Sequence, residues 1–307
     1  MQKQINNNEN MALNLLILGK TGVGKSSLVN ALVGREVAKV GGVKPQTPYG
    51  IFKYEAEIDG KKVNIYDSWG IERNEDAAKK WKELIKNELK KRGIDKDIKD
   101  WFHSVTYCTH VGVDKLEPFE KEIIKELLNE KYETIVVLTK AERIKQEEKK
   151  DYKNYIKYIK EKTGVNRVIK VSVNPQKTII MTETPKPFGL PEYKEAILVS
   201  WKKIFIDRMP LHIIEKLKRD INYGELHAPR EGKDLEKLSK EIQEYFKDML
   251  IKNTKKYIEE SIKKYCSITG NMLNINQNIK IKNLDYNKRI VDFESEFADV
   301  YNDIIDF

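Results

Sequence analysis

Three glycines, Gly19, Gly22 and Gly24, are followed at once by Lys25 and Ser26 in the run GKTGVGKSS, Gly19 to Ser27. The spacing fits G-x-x-x-x-G-K-[ST], a loop built to hold phosphates. Its glycines let the backbone curl, so that the N–H groups along Lys20, Thr21, Gly22, Val23 and Gly24 turn toward phosphate oxygens. A helix starting at Lys25 would add its positive end. The Lys25 ammonium would reach the β and γ oxygens, the Ser26 hydroxyl would ligate Mg²⁺, and Ser27 completes the candidate binding run.

Mg²⁺ beside a phosphate calls for a carboxylate, and NIYDSWG supplies one where an apolar strand ends. Asp67 is placed to hold the ion through water, and the Gly70 N–H to meet a γ-phosphate, in the pattern DxxG. Four residues of this kind are common by themselves; the distance from the glycine loop and the strand end give these weight. Between the two motifs, GGVKPQTPYG holds Thr47, the one threonine between Thr21 and Thr106. A loop that senses the γ-phosphate needs a hydroxyl to complete the Mg²⁺ shell, and two glycines and two prolines suit a segment that orders and releases. A plain turn threonine is the alternative. Lys25, Thr47 and Gly70 are thus the candidate catalytic set, and Ser26, Thr47 and Asp67 the candidate metal ligands.

Base identity should be read in VVLTKAE, which supplies Thr139, Lys140 and Glu142. A carboxylate two residues after the lysine accepts hydrogen bonds from guanine N1–H and the 2-amino group, while the lysine stem covers the ring. Adenine offers no such pair of donors, so the arrangement favours guanine. VSVNP, at the end of a later strand, offers a backbone N–H to guanine O6 from around Ser172 or Val173.

Elements of a particular kind must position these residues. Leu13–Leu18 reads as a buried strand, then comes the glycine loop, then a helix ending at Gly34. IFKYEAEI and KKVNIYD flank Asp59-Gly60 as an antiparallel hairpin. Helix AAKKWKELIKNELKK, strand SVTYCTHVGV, helix FEKEIIKELLNE, strand ETIVVLT, a lysine-rich helix, strand RVIKVSV and helix YKEAILVSWKKIFI complete the series. Such alternation predicts an α/β fold, a mostly parallel sheet with helices on both faces and one antiparallel edge, with ligands at the carboxyl ends of the strands. Pro210 marks an expected boundary, giving a tail at 1–10, a nucleotide-binding domain at 11–209 and an all-α region at 210–307. In the last helix of that region Phe293, Phe297, Val300, Tyr301 and Ile304 form one stripe, and six acidic and no basic residues follow Arg289. This helix either docks on the globular body or binds a protein partner.

Of the 307 residues 40% are hydrophobic and 34% charged, which predicts a globular chain with a wet surface. No apolar run approaches the ~18 residues of a membrane span. The start, MQKQINNNEN, lacks the basic and apolar regions of a secretory signal and is expected to be a disordered tail. Cys108 and Cys266 share no paired spacing, which points to a reducing cytoplasm without structural disulfides. His103, Cys108 and His110 fall together in HSVTYCTH, but the run reads more readily as a buried strand than as a metal site. A net charge of +9, from 57 Lys+Arg against 48 Asp+Glu, favours an acidic partner such as RNA or a membrane surface. Lysines interleaved with glutamates along the helices give the plainer alternative of solvated faces.

The ordered set GKTGVGKSS, QT, DSWG, TKAE and VSV resembles the translation-factor-related class of P-loop GTPases, most closely its Era-like branch. VKPQT is similar to the Era switch, and GKTGVGKSSLVNALVG to the chloroplast-import, immune-associated and septin-like GTPases. The resemblance covers about the first two-thirds of the chain, a fraction typical of one domain. It implies binding of GTP and GDP, slow hydrolysis with Mg²⁺, and a conformational switch.

Departures from the family pattern shape the expectation. Glu142 stands where the family has aspartate, keeping the carboxylate but moving it by one methylene. Ile71 follows DSWG where Ras-like proteins place a water-orienting glutamine, which resembles members that rely on a dimer partner, a potassium ion or an activator. Gly22 occupies a position that is often asparagine in potassium-dependent members, which disfavours that route. Beyond Pro210 there is no GxxG loop, so the RNA-binding module of Era itself is missing. Arg35 and Arg73 flank the switch segments and either act in trans or are surface residues. Four functions stay open: a GTPase that assembles as a nucleotide-dependent homodimer, a ribosome or RNA assembly factor, a GTP-gated module docking a protein through its helices, and a peripheral membrane remodeller.

Overall fold

The residues of β1, Leu13–Gly19, are buried at every position, as befits a central strand covered on both faces. Its neighbours explain why. In the computed structural model, which describes residues 12–39, 50–70, 75–111, 116–143, 149–177, 181, 183–227 and scattered positions from 240 to 260, six strands form one sheet. They are β1, β2 (Ile51–Ile58), β3 (Lys61–Ser68), β4 (Ser104–His110), β5 (Thr134–Thr139) and β6 (Arg167–Lys170). The order across the sheet is β2-β3-β1-β4-β5-β6. Only β2 and β3 run antiparallel, joined at Asp59-Gly60 and paired from Ile51–Ser68 to Ile58–Lys61. The alternating charges of β2 keep this edge strand half-wet, which protects it from pairing with another chain.

The helices are α1 (Lys25–Val33), α2 (Glu75–Lys91), α3 (Pro118–Asn129), α4 (Lys149–Thr163) and α5 (Leu190–His227). Each parallel crossover returns to the sheet through one of them, as parallel pairing requires. Gly34 closes α1 in the left-handed conformation, its N–H donating to the Asn30 carbonyl at 2.8 Å. Glu117 and Glu120 form a capping box on α3, and Pro118 occupies its first turn. The sheet order places β1 between β3 and β4, so the chain leaves β1 at a point where ligands of open α/β sheets bind.

Opposite that end, Asn14 holds the start of the sheet together. Its Nδ2 donates to the carbonyls of Lys99 and Trp101, each at 2.8 Å, and its Oδ1 accepts from Asn64 at 2.9 Å. The Asn14 N–H donates to His103 Nδ1 at 2.9 Å, which leaves the proton of His103 on Nε2, 3.0 Å from the Ile98 carbonyl. Both ring nitrogens are therefore engaged in the fold, and the HSVTYCTH run forms a strand, as its apolar pattern predicts. Among the described residues no cluster of His, Cys, Asp and Glu could hold a metal.

Burial pushes the His103 imidazole down to about 3 from its ordinary 6.5. The folded group stays neutral where the unfolded one takes a proton, so its stabilisation is complete above pH 6.5 and is lost as the pH falls toward 3. Equilibrium unfolding should lose about 2 kcal/mol from this residue between pH 7.5 and 5, a slope that His103→Asn removes. Equal slopes in the two proteins would refute this.

α5 exceeds the helix expected from YKEAILVSWKKIFI. It begins at Leu190 and runs through Pro210, read from the sequence as a boundary, to His227. A proline in a helix forfeits one backbone hydrogen bond and costs ~3 kcal/mol. Packing before and after it offsets that cost: Tyr193, Ile197, Ile204, Arg208 and Ile213 are all buried. The Tyr193 hydroxyl meets Thr106 Oγ1 at 2.7 Å, Lys203 pairs with Glu133 at 2.5 Å, and the Arg208 guanidinium lies over the rings of Tyr132 and Trp101 at 4.0 and 5.0 Å. Strand RVIKVSV is correspondingly shorter than expected, since after Lys170 the chain makes only an isolated bridge, Ser172 to Phe188. The sheet belongs to a compact unit, Glu9–Lys216, and residues from Leu217 onward to a second one. Among the described residues no helix is long and apolar enough to cross a membrane.

Candidate functional site

β1 delivers the chain to Gly19, whose φ of 141° and contact with the Cys108 carbonyl leave no room for a Cβ. The loop from Lys20 to Gly24 follows, and Gly24, in left-handed conformation, caps α1. No acidic residue occupies the first turn of α1, so its positive end is free of a competing charge. Ser26 and Ser27 lie on that first turn.

Lys25 is only 7% exposed, and its Nζ donates to the carbonyls of Gly19 and Lys20 at 2.9 Å each. Burial pulls its pKa below 10.5, against a smaller upward pull from Asp67 and Cys108. Asp67, at the carboxyl end of β3, is fully buried, and neither carboxylate oxygen finds a hydrogen-bond partner among the described residues. Burial pushes its carboxyl up to about 6 although the Lys25 charge draws it down. A buried carboxylate with all its lone pairs open is costly by itself and is suited to a hard cation. Asp67 and Ser26 are the described residues that would hold Mg²⁺, which takes few protein ligands and fills its octahedron with waters and phosphate oxygens. Thr47, the third expected ligand, lies outside the described residues, as do Ile71 and Arg73, while Arg35 is exposed beyond the end of α1.

Gly70 packs directly on the loop. A Cβ added there would overlap Thr21 Cα and Oγ1. One residue earlier, the Trp69 N–H donates to the Gly50 carbonyl at 3.0 Å, and the Trp69 carbonyl accepts from Trp81 Nε1 at 3.1 Å. The segment after β3 is thereby tied both to the start of β2 and to α2.

At the other side of the loop a cavity of about 160 Å³ opens, lined in part by Gly24, Ser27, Thr139, Lys140, Glu142 and Val173. Thr139 Oγ1 donates to the carbonyls of Val23 and Thr109, fastening the loop to the ends of β4 and β5. Lys140 takes a φ of +52° and reaches across to the Gly22 carbonyl at 2.6 Å, so its stem forms one wall of the cavity. Glu142 is buried, and its Oε2 accepts from Ser172 Oγ at 2.7 Å.

Here the structure refines the expected base contacts. The Ser172 N–H donates to the Phe188 carbonyl at 3.0 Å and is not available to a base; its hydroxyl orients Glu142 instead. Of the two expected donors, the expectation then rests on Val173 alone. Asn174, Gln176 and Arg143 also line the cavity and were not anticipated, although their places beside Val173 and Glu142 were the available signal.

Also unanticipated is the fixing of Lys20. Its ammonium pairs with Glu117 at 2.5 Å and with Glu120 at 3.1 Å, and the buried Glu120 also accepts from the Tyr107 hydroxyl at 2.9 Å. The loop's second residue thus faces α3 and not the phosphate cradle. Nothing in local spacing signals this pair, because its acids belong to a later crossover.

Residues 14–140 match a family described as 50S ribosome-binding GTPase. Over 159 residues the chain is 28% identical to the Translocase of chloroplast 34 homolog of Chlamydomonas reinhardtii, covering 47% of this chain and 38% of that protein. It is 34% identical over 148 residues to the tRNA modification GTPase MnmE of Helicobacter pylori strain J99, covering 47% of this chain and 29% of that protein. The aligned region spans well under half the length of these relatives. Toc33 from Arabidopsis thaliana, solved with Mg²⁺ and GMPPNP, superposes with a TM-score of 0.44 at 20% identity over 62% of this chain and 85% of that one. Residues 14–140 are thus similar to a GTPase family, and the relatives that align over this region include a chloroplast translocase and the tRNA modification GTPase MnmE.

Proposed function

We propose that this chain binds GTP with Mg²⁺, hydrolyses it slowly when alone, and serves as a switch whose hydrolysis is raised by a second chain. The observation that carries the reading is the buried Asp67 carboxylate beside Lys25, without a hydrogen-bond partner among the described residues, with a cavity lined by Glu142 at the other side of the loop. Water attacks the γ-phosphorus in line, the bond to the β–γ bridging oxygen breaks, and GDP and phosphate leave. Lys25 turns from the Gly19 and Lys20 carbonyls to the β and γ oxygens and stabilises charge there. Mg²⁺, which Asp67 and Ser26 would hold, would add neutralisation of the phosphate charge. Gly70 reports the γ-phosphate through its N–H, with Thr47 in the same role from the other switch. Glu142, held by Ser172, accepts the guanine N1–H and amino group, and the Val173 N–H meets O6.

Among the described residues no base or arginine faces the γ end. Lys20 is spent on Glu117 and Glu120, Arg143 lies beside Glu142, and Arg35 is exposed. With Ile71 following Gly70, help from a nucleotide-dependent homodimer or another protein is the reading that fits. Single-turnover hydrolysis should therefore speed up at least about tenfold as protein concentration rises, in step with a GTP-dependent increase in mass. A fast rate that is independent of concentration, or ATP bound as tightly as GTP, would refute it.

A second reading, an RNA- or ribosome-associated GTPase, draws on the net charge of +9 and on the description of the matching family. Salt-sensitive RNA binding without dimerisation would favour it. In either reading the GTPase region is the unit Glu9–Lys216, the residues after it are open to a protein partner, and the unpaired spacing of Cys108 and Cys266 suits the cytoplasm.

A further inference from the structure

Thr21, third in the glycine loop, carries a hydroxyl that no described residue engages. Its Oγ1 is shut off from solvent and has no hydrogen-bond partner among the described residues. It also presses against Gly70 so closely that a single added carbon would collide with it. Lys25 is engaged on two carbonyls, Lys20 on Glu117 and Glu120, Thr139 on Val23 and Thr109, and Ser172 on Glu142, while Ser26 is the hydroxyl assigned to Mg²⁺ above. An orphaned buried hydroxyl is a standing cost that a fold removes by finding it an acceptor. The acceptor must reach the Gly70 side of the loop, where a terminal phosphoryl group brings three oxygens and a diphosphate brings none.

We propose that the Thr21 hydroxyl is a ligand of the γ-phosphate and a determinant of the preference for triphosphate over diphosphate. The inference rests on the guanine-nucleotide reading above and adds a side-chain contact to the backbone contacts of the loop. A hydroxyl donating to an ionised phosphate oxygen makes a stronger bond than a neutral pair, and unlike a loop N–H it can be removed without changing the backbone. Thr21→Val keeps the branched shape and deletes the donor, whereas Thr21→Ser keeps the donor.

The test is calorimetric titration of the full chain, with Mg²⁺, by GMPPNP and by GDP. Thr21→Val, and Thr21→Ala as a second variant, should lose about tenfold or more in GMPPNP affinity, with GDP affinity within about twofold of wild type and GMPPNP binding retained in Thr21→Ser. Melting of the nucleotide-free Thr21→Val should occur no lower than in wild type, since the variant discards an unsatisfied group. Equal losses for both nucleotides would mean that Thr21 only shapes the loop and would overturn the inference, as would unchanged GMPPNP binding. Wild-type protein that binds neither nucleotide would overturn the guanine-nucleotide reading itself, and this inference with it.

Discussion

Asp67→Asn should raise the melting temperature of the metal-free protein while cutting Mg²⁺-dependent GTP hydrolysis about 100-fold or more. Both effects follow from one fact, a fully buried carboxylate whose oxygens have no hydrogen-bond partner among the described residues. Desolvating that charge without a donor costs ~2–3 kcal/mol. An isosteric amide is neutral and leaves Lys25 its two carbonyl acceptors. For a domain of this size ~2 kcal/mol corresponds to about 5 °C. Because burial raises the folded carboxyl from 3.8 to about 6, its stability contribution is fully present below pH 3.8 and is lost as the pH rises through about 6. The gain in the variant should therefore be largest at neutral pH and shrink as the pH falls toward 4. With Mg²⁺ and GDP present the order should invert, since only the wild type gains from metal binding. Thermal melts at several pH values, with and without Mg²⁺ and GDP, check this; a variant that melts lower than wild type in metal-free neutral buffer would refute it.

Glu142→Gln should weaken GTP binding about 100-fold and shift preference toward xanthosine triphosphate. The carboxylate presents two acceptors to the two donors on one edge of guanine, and one of its oxygens is oriented by Ser172 at 2.7 Å. An amide offers one acceptor and one donor, so its NH₂ must face a guanine donor, and a buried charge-assisted bond is lost as well. Xanthine carries N1–H beside a carbonyl at position 2, which the amide matches. Competition among GTP, XTP and ATP for the same site provides the measurement. An unchanged order would place the base somewhere other than the cavity beside Glu142.

Much of this was legible in sequence because it depends on local spacing. Glycines followed by lysine and serine between an apolar strand and a helix can do little else than form this loop, and Asp67, Thr139 and Glu142 sit at strand ends that alternation alone locates. The structure brings Lys25 and Asp67 together, and gathers Thr139, Lys140, Glu142 and Val173 around one cavity. What was not legible depends on distant parts of the chain meeting. Lys20 turns to α3 because two later glutamates await it. Ser172 spends its N–H on Phe188, far along the sequence, so its hydroxyl, bonded to Glu142, and not its N–H is what it offers beside the cavity. Pro210 carries the strongest local breaking signal in its region, yet the helix continues through it because the buried residues around it outweigh one missing hydrogen bond.

The backbone clasp at Trp69 has a practical consequence. The chain has four tryptophans, and two of them meet at the segment that follows Asp67: Trp69, 6% exposed, and Trp81, whose ring nitrogen holds the Trp69 carbonyl. Any displacement of Gly70 pulls on both indoles, one through its own backbone and the other through its hydrogen bond. The two indoles therefore form a built-in optical gauge of this segment: if it shifts with bound nucleotide as proposed, ultraviolet emission would report the shift without a dye or a label.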